Sequence, residues 1–534
     1  MAAPFSRSAT AFGSARFAEP KEIAEAGLFN RTRDSLFVGF YGNRGLVYSG
    51  MAGLVTCAGP RSGKLTTTLA YNICSGGYSG TSLILDVKGE CAAISQWQVP
   101  ARKFCIFWNP RRFHGLPYHR INPVGHLNRD NPDLVSDVLV FCENMIPPSG
   151  SANGRYFEGR AHEFLAAIVL TIVKCDSVLT LPALYRAINL LVMGGEAWLD
   201  FAFEMTEAGF DLAERIEEEA ANSRADSTGG FKGILGEITR AFTALADPVL
   251  MEAVSPPFDF CLSQLCSSDQ TYNLYLMPPT EAVEPWAAVL KAFFVGARTY
   301  KARAPSAPRQ TWFLDECGQL GGFPLVAKLF TRDAGLGIRP WAFFQSTKQM
   351  NNLAPDGESL LLASAGLQSW YGIRDERTAR TVSTMLGNET LAYVDPRNRE
   401  MARHGALKAA KALFSGGNPL NAALDMAHQK RMAEAPILKS APLCSVDELL
   451  GMPADKQLIF ADGLSHPIWA DRRPYYEQPF MAGRYHPNPY HPPIDRVLTM
   501  TPRGPQWRPV IVEKVDPRFS HYPQYADGTW SRIG

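Results

Sequence analysis

Short apolar runs recur along this chain at 54–58, 82–85, 103–108, 271–278, 311–314, 339–346 and 367–375, and most stop abruptly at polar or charged residues. Runs this short and this apolar predict strands buried on both faces. Helix-capable segments alternate with them at 65–71, 285–301, 325–333, 360–365 and 376–386, with Pro285 acceptable in a first turn. That alternation predicts an α/β fold, a mostly parallel sheet covered by helices. A short helix is expected at 19–27 and a hairpin at 36–50, where Gly42, Asn43 and Gly45 supply turn material.

Near residue 128 the pattern changes. Strand signals become scarce until 259, and helical segments take over at 131–144, 157–174, 180–193, 196–221 and 230–251. This predicts an all-α domain inserted into the α/β domain. Further on, 402–413 and 420–433 read as helices, and 453–471 as two paired strands joined by Gly463. From Arg472 onward Pro, Tyr, Arg and His dominate, and only 507–512 reads as a strand, an isolated one. The tail is either a covering arm or a partner-binding segment. The expected organisation is an N-terminal extension (1–35), the α/β domain (36–127 and 260–475), the all-α insertion (128–259) and the tail (476–534).

Two stretches carry chemistry. Trp312, Phe313 and Leu314 run straight into Asp315 and Glu316, a buried strand ending in two carboxylates. Ionised carboxylates are costly to bury unless something pairs with them; a magnesium ion, a water to be activated and a nucleotide would do so. The matching phosphate site is AGPRSGK at 58–64, between an apolar run and a helix. Gly59, Pro60, Arg61, Ser62 and Gly63 favour a turn whose backbone N–H groups face phosphate oxygens, and Lys64 would reach the β- and γ-phosphates. The loop rule wants Ser or Thr after the lysine; Leu65 stands there, and Thr66 is the nearest substitute as a magnesium ligand beside Asp315. Glu316 is the candidate to orient or deprotonate the attacking water. Gln345, at the end of a neighbouring strand, is placed to sense the γ-phosphate. Asp86, Lys88 and Glu90, after the strand at 82–85, either help position nucleotide or form a structural ion-pair cluster.

Composition adds limits. The 534 residues suffice for roughly two to four domains. A formal charge of +1 announces no nucleic-acid surface, though a local patch or a lumen shared by several subunits stays compatible with it. Ten cysteines without a CxxC pair predict reduced, mostly packed thiols in a cytoplasmic protein. His114, His119 and His126 read as solvated loop histidines, and Lys301, Arg303 and Arg309 as a solvated basic loop. The N-terminus has no secretory signal, and the best apolar run, 164–173, is too short to span a bilayer.

With these motifs placed, the chain resembles the VirD4/TraG family, the coupling ATPases of bacterial conjugation and type IV secretion. The resemblance rests on GSARFA at 13–18, GPRSGK at 59–64, SLILDVKGE at 82–90, WNP at 108–110, INP at 121–123, LDECGQLG at 314–321, FFQSTKQM at 343–350 and the run 363–387, all in order. It implies a hexameric ring of RecA-like P-loop domains that hydrolyses ATP with Mg2+, and an all-α domain that meets the substrate. It also implies relaxase-bound single-stranded DNA or effector proteins as cargo, and type IV secretion channel components as partners. Arg332 best matches the family's trans-acting arginine finger, with Arg374 second. Members usually begin with transmembrane helices and often carry glycine where Leu65 stands. This sequence lacks the helices, so it is expected at the cytoplasmic face of the inner membrane through a partner or through helices not included. Two rival readings share the nucleotide site: a DNA-pumping ATPase of the segregation or packaging type, and a non-hydrolysing recruitment platform in which Leu65 marks lost catalysis.

Overall fold

The computed structural model describes residues 13–98, 102–147, 152–223, 230–393 and 437–534, with isolated positions between 400 and 428. The helices expected at 402–413 and 420–433 lie mostly outside the described residues. The chain divides into two compact units, one of residues 20–372, 453–463 and 469–534, the other of 1–19, 373–452 and 464–468.

The larger unit begins with helix Pro20–Glu25 and the hairpin β1 (Leu36–Tyr41) and β2 (Arg44–Tyr48). Then come β3 (Leu54–Ala58), β4 (Thr81–Leu85), β5 (Lys103–Trp108), β6 (Thr271–Leu276), β7 (Gln310–Leu314), β8 (Ile338–Phe344) and β9 (Leu367–Tyr371). The chain next supplies β10 (Asn388–Tyr393) and β11 (Ile437–Pro442) to the smaller unit. It returns for β12 (Lys456–Ala461) and β13 (Ile468–Asp471), and closes with β14 (Arg496–Thr501), β15 (Gly504–Lys514) and β16 (Thr529–Ile533).

An eleven-stranded sheet in the order β2-β1-β13-β12-β9-β3-β8-β7-β4-β6-β5 organises the larger unit. From β9 to β5 every pair is parallel. These strands are apolar throughout because helices cover both faces: β3, β7, β8 and β9 are buried along their whole length. Register pairs Cys57 with Phe344 and Leu314 with Ala342, so the loop after β3, the carboxylates after β7 and Gln345 after β8 leave the same edge. Open parallel sheets bind ligands at this edge.

Between β5 and β6 the described chain is helical, around the long helix Ala152–Asp176, whose residues 164–170 are buried. Two expected helices are each broken. Gly209, at φ +75°, separates Glu196–Glu207 from Asp211–Ser223. The second break precedes Pro248, where the Asp247 carboxylate caps a new helix by accepting the Val249 N–H at 2.9 Å. A helix at Glu90–Ser95 went unforeseen. None of the described helices is long and apolar enough to cross a membrane.

Several expectations are corrected. Residues 507–512 belong to no isolated strand, because β15 is the centre of the antiparallel sheet β14-β15-β16. His119 and His126 are buried, not solvated. His119 serves the free edge of β5: its backbone N–H donates to the Phe107 carbonyl at 2.9 Å, and its Nδ1 accepts the Phe107 N–H at 3.0 Å. Gln524 does the same farther along, accepting the Cys105 N–H at 2.9 Å and donating to the Lys103 carbonyl at 3.2 Å. Lys301 is buried at the end of helix Ala287–Arg303, and its ammonium donates to the carbonyls of Ala304 and Ala307. Most cysteines are buried free thiols, with Cys175 and Cys261 exposed.

In the smaller unit, helix Glu376–Leu386 starts on the Asp375 carboxylate, which accepts the Thr378 N–H at 2.9 Å, and ends at Gly387. β10 and β11 pair antiparallel, and Ala15 donates to the Asn388 carbonyl at 3.0 Å, extending the ladder.

Candidate active site

The loop after β3 has the form expected of a phosphate-binding turn. Arg61 and Gly63 have positive φ, +57° and +85°, which turns successive peptide units toward one side. The Ser62 hydroxyl donates to the Gly59 carbonyl at 2.6 Å, closing the turn. The helix that follows begins with a π-helical segment, Leu65–Leu69, and continues as Ala70–Ile73. The hydroxyls of Thr66 and Thr67 both donate to the Gly63 carbonyl, at 3.2 and 2.9 Å. Gly372, just past β9, lets the chain pass beside this loop: a Cβ there would stand 2.6 Å from the Ser62 Cβ.

One residue to which the sequence reading gave no role at the site braces the loop. Arg472 follows β13 and is 4% exposed. Its guanidinium lies 3.6 Å over the Tyr371 ring, donates to the Ser62 carbonyl, and reaches the Thr67 hydroxyl at 2.9 Å. An arginine next to an apolar strand carries no recognisable motif, so only the fold reveals it.

β7 ends at Leu314, and Asp315 and Glu316 follow on a turn where Glu316 has φ +54°. Lys64 donates to Glu316 Oε1 at 2.6 Å and lies 3.5 Å from Asp315 Oδ1. Gln345 Nε2 donates to both oxygens of Glu316, at 3.0 and 2.9 Å, and Gln319 Nε2 lies at 3.4 Å. Burial disfavours the Lys64 ammonium, but the two carboxylates outweigh it and hold the lysine above its ordinary range. Burial lifts the Asp315 carboxyl above the usual carboxylate range against the pull of Lys64. The structure thus brings together Lys64, Asp315, Glu316 and Gln345 around a cavity of about 660 Å³ lined also by Arg61–Thr66. That volume suits a small-molecule ligand. Asp315 and the Thr66 hydroxyl are hard oxygen donors facing this space, which fits Mg2+, an ion that keeps several waters and leans on phosphate oxygens. Among the described residues no group of three or more His, Cys, Asp or Glu could hold a metal alone.

The chain matches the family described as Type IV secretory system Conjugative DNA transfer over residues 8–405. It belongs to that family. Two conjugal transfer proteins TraG of Escherichia coli are 25% identical over 439 residues and 23% over 429; each alignment covers 71% of this chain, and 64% and 65% of the respective relatives. The chain therefore spans just under two thirds of the length of these relatives. Among solved structures, the unbound bacterial conjugative coupling protein TrwBdeltaN70 is similar at a TM-score of 0.59 and 14% identity, covering 86% of this chain and 95% of that one. TrwB in complex with ADP and Mg2+ gives 0.59 and 14%, covering 89% and 96%. At such identities the likeness speaks for the fold: a RecA-like P-loop core with an inserted all-α region.

Other candidate site residues fall differently. Asp86 is buried and caps helix Glu90–Ser95, accepting the N–H groups of Cys91 and Ala92 at 3.0 and 2.7 Å; burial pushes its carboxyl up to about 7. Glu90 accepts from Asn488, so Asp86, Lys88 and Glu90 form no ion-pair cluster although all three line the cavity. Arg332 is exposed at the end of helix Pro324–Thr331 and does not line the cavity. Arg374 belongs to the smaller unit.

Proposed function

We propose that this chain is an ATP-hydrolysing coupling protein that recruits relaxase-bound single-stranded DNA or effector proteins and delivers them to a type IV secretion channel. The supporting observation is the cluster in which Lys64 and Gln345 both hold Glu316 at the mouth of the β3 loop. Phosphates would replace Glu316 as the partner of Lys64 and release that carboxylate toward water. Asp315 and Thr66 would hold Mg2+, which supplies charge neutralisation on the phosphates. Glu316 would orient and deprotonate the attacking water, and Gln345, bonded to Glu316 and fixed through its backbone N–H by Gln349 at 2.7 Å, would register the loss of the γ-phosphate. Arg332, exposed and away from its own cavity, is suited to serve a neighbour's site in a hexameric ring. The boundaries proposed are a nucleotide domain of 36–127 and 260–475, an all-α substrate-facing insertion of 128–259 and an arm from 476.

The test is Mg2+-dependent ATP hydrolysis by the wild-type chain and by Glu316→Gln, with and without single-stranded DNA, with oligomer mass recorded on the same samples. Hydrolysis lost in the variant while nucleotide binding persists is the expected result. An assembled, DNA-bound wild-type ring that does not hydrolyse ATP would overturn it in favour of a recruitment platform.

A further inference from the structure

The C-terminal arm reaches the nucleotide cavity. Asn488, Tyr490 and His491 line it together with the β3 loop, although more than four hundred positions separate them in sequence. The segment is anchored on both sides. Buried His486 donates its backbone N–H to the Ile94 carbonyl at 2.9 Å, and its Nε2 bonds the Ser531 carbonyl at 2.9 Å. Asn488 donates to Glu90 Oε2 at 3.1 Å while its own Oδ1 accepts the Tyr490 N–H at 2.9 Å, a turn that fixes the tyrosine.

Tyr490 acts on one point. Its hydroxyl donates to the Lys88 carbonyl at 3.4 Å, and the same carbonyl bonds His114 Nε2 at 2.7 Å. Its ring meets the His114 ring edge-on at 5.4 Å, and the Lys88 ammonium lies 6.0 Å from its centre. Lys88 has φ +81°, a conformation a lysine holds only when its surroundings impose it. Along the sheet edge the order is β3, β8, β7, β4, so Lys88 lies beyond Asp315 and Glu316 as seen from the β3 loop. In a P-loop site that is the side of the terminal phosphate and the attacking water.

We propose that Lys88 contacts the terminal phosphate of a bound nucleoside triphosphate and that Tyr490, with Asn488, is a positioning residue that holds Lys88 there. The arm is then part of the nucleotide site and sets its preference for triphosphate over diphosphate. This rests on the nucleotide-site reading above and adds residues and a ligand group to it.

The experiment measures affinities of the full chain for a fluorescent (mant-labelled) non-hydrolysable ATP analogue and for mant-ADP, both with Mg2+. Wild type is compared with Lys88→Met, Tyr490→Phe and Tyr490→Ala. Triphosphate affinity falls about tenfold in Lys88→Met and about threefold in Tyr490→Phe, the scale of one charged and one neutral hydrogen bond, with mant-ADP changing less than about twofold. Tyr490→Phe keeps the ring and its packing, so it reads the positioning bond even if Tyr490→Ala unfolds. Equal losses for both nucleotides, or no loss for either, overturn the inference while leaving the nucleotide site standing. A wild-type chain that binds neither nucleotide overturns both readings together.

Discussion

Replacing Arg472 by methionine removes the brace beneath the phosphate loop while keeping the bulk of its stem. A desolvated cation–π contact contributes about 2 kcal/mol or more. Hydrogen bonds from a charged donor contribute about 1.5–3 kcal/mol each, and two of these, to the Ser62 carbonyl and the Thr67 hydroxyl, act on the loop. Such terms are not additive within one cluster, and the bond to the Ala454 carbonyl at 3.0 Å supports the fold elsewhere. About 3 kcal/mol is therefore assigned to the loop's conformation, or about a hundredfold in kcat/KM for ATP. The assay pairs steady-state hydrolysis with urea unfolding of the same preparation. Arg472→Lys keeps the charge but loses the flat face and the fork, so it recovers less than about tenfold of the loss. A variant with kcat/KM within threefold of wild type and a lowered urea midpoint would refute the argument, since Arg472 would then brace the sheet and not the loop.

Gly372→Ala places a Cβ 2.6 Å from the Ser62 Cβ at φ +57°. Strain of about 1–2 kcal/mol is expected, read as a rise of about tenfold in the KM for ATP; an unchanged KM would contradict the close approach. Lys103 is buried with its ammonium on the Tyr78 carbonyl at 2.7 Å and Asn273 Oδ1 at 3.2 Å, and burial pulls it down to about 7. Because this folded-state value is depressed, the contribution is full above the unfolded value near 10.5 and is lost as pH falls through about 7. Stability should rise between pH 7 and 10 by up to about 4 kcal/mol, and the slope should flatten in Lys103→Met; parallel curves for the two proteins would rule this out.

The strands and their polar ends were legible because a parallel strand covered on both faces must be apolar throughout and can change character only where it leaves the sheet. Lys64, Asp315, Glu316 and Gln345 were readable for that reason: each sits just past such an end. Helix breaks were harder. Gly209 and Pro248 interrupt segments whose apolar spacing runs on, and periodicity alone does not tell a tolerated glycine from a break. Arg472 and Tyr490 were illegible because their partners are brought to them by topology, and neither lies in a spaced motif. His119 and Lys301 show a related limit. Loop-like or charged composition suggests solvent, yet each polar group is buried against a backbone partner.

The pairing of Gln524 and His119 with β5 bears on how copies of this chain can meet. An amide side chain is a peptide group on a stalk, and here one lies along the last strand as if it were a neighbouring chain. His119 finishes the row with its own backbone and ring. The Lys103 carbonyl, the Cys105 N–H and both backbone groups of Phe107 are thereby spent, so another molecule gains little by zipping onto this border. Strand pairing between two chains along this end of the sheet is thereby disfavoured. Removing residues 515–534 would take Gln524 away and uncover the border at 103 and 105, inviting adhesion there, while His119 would still cover 107.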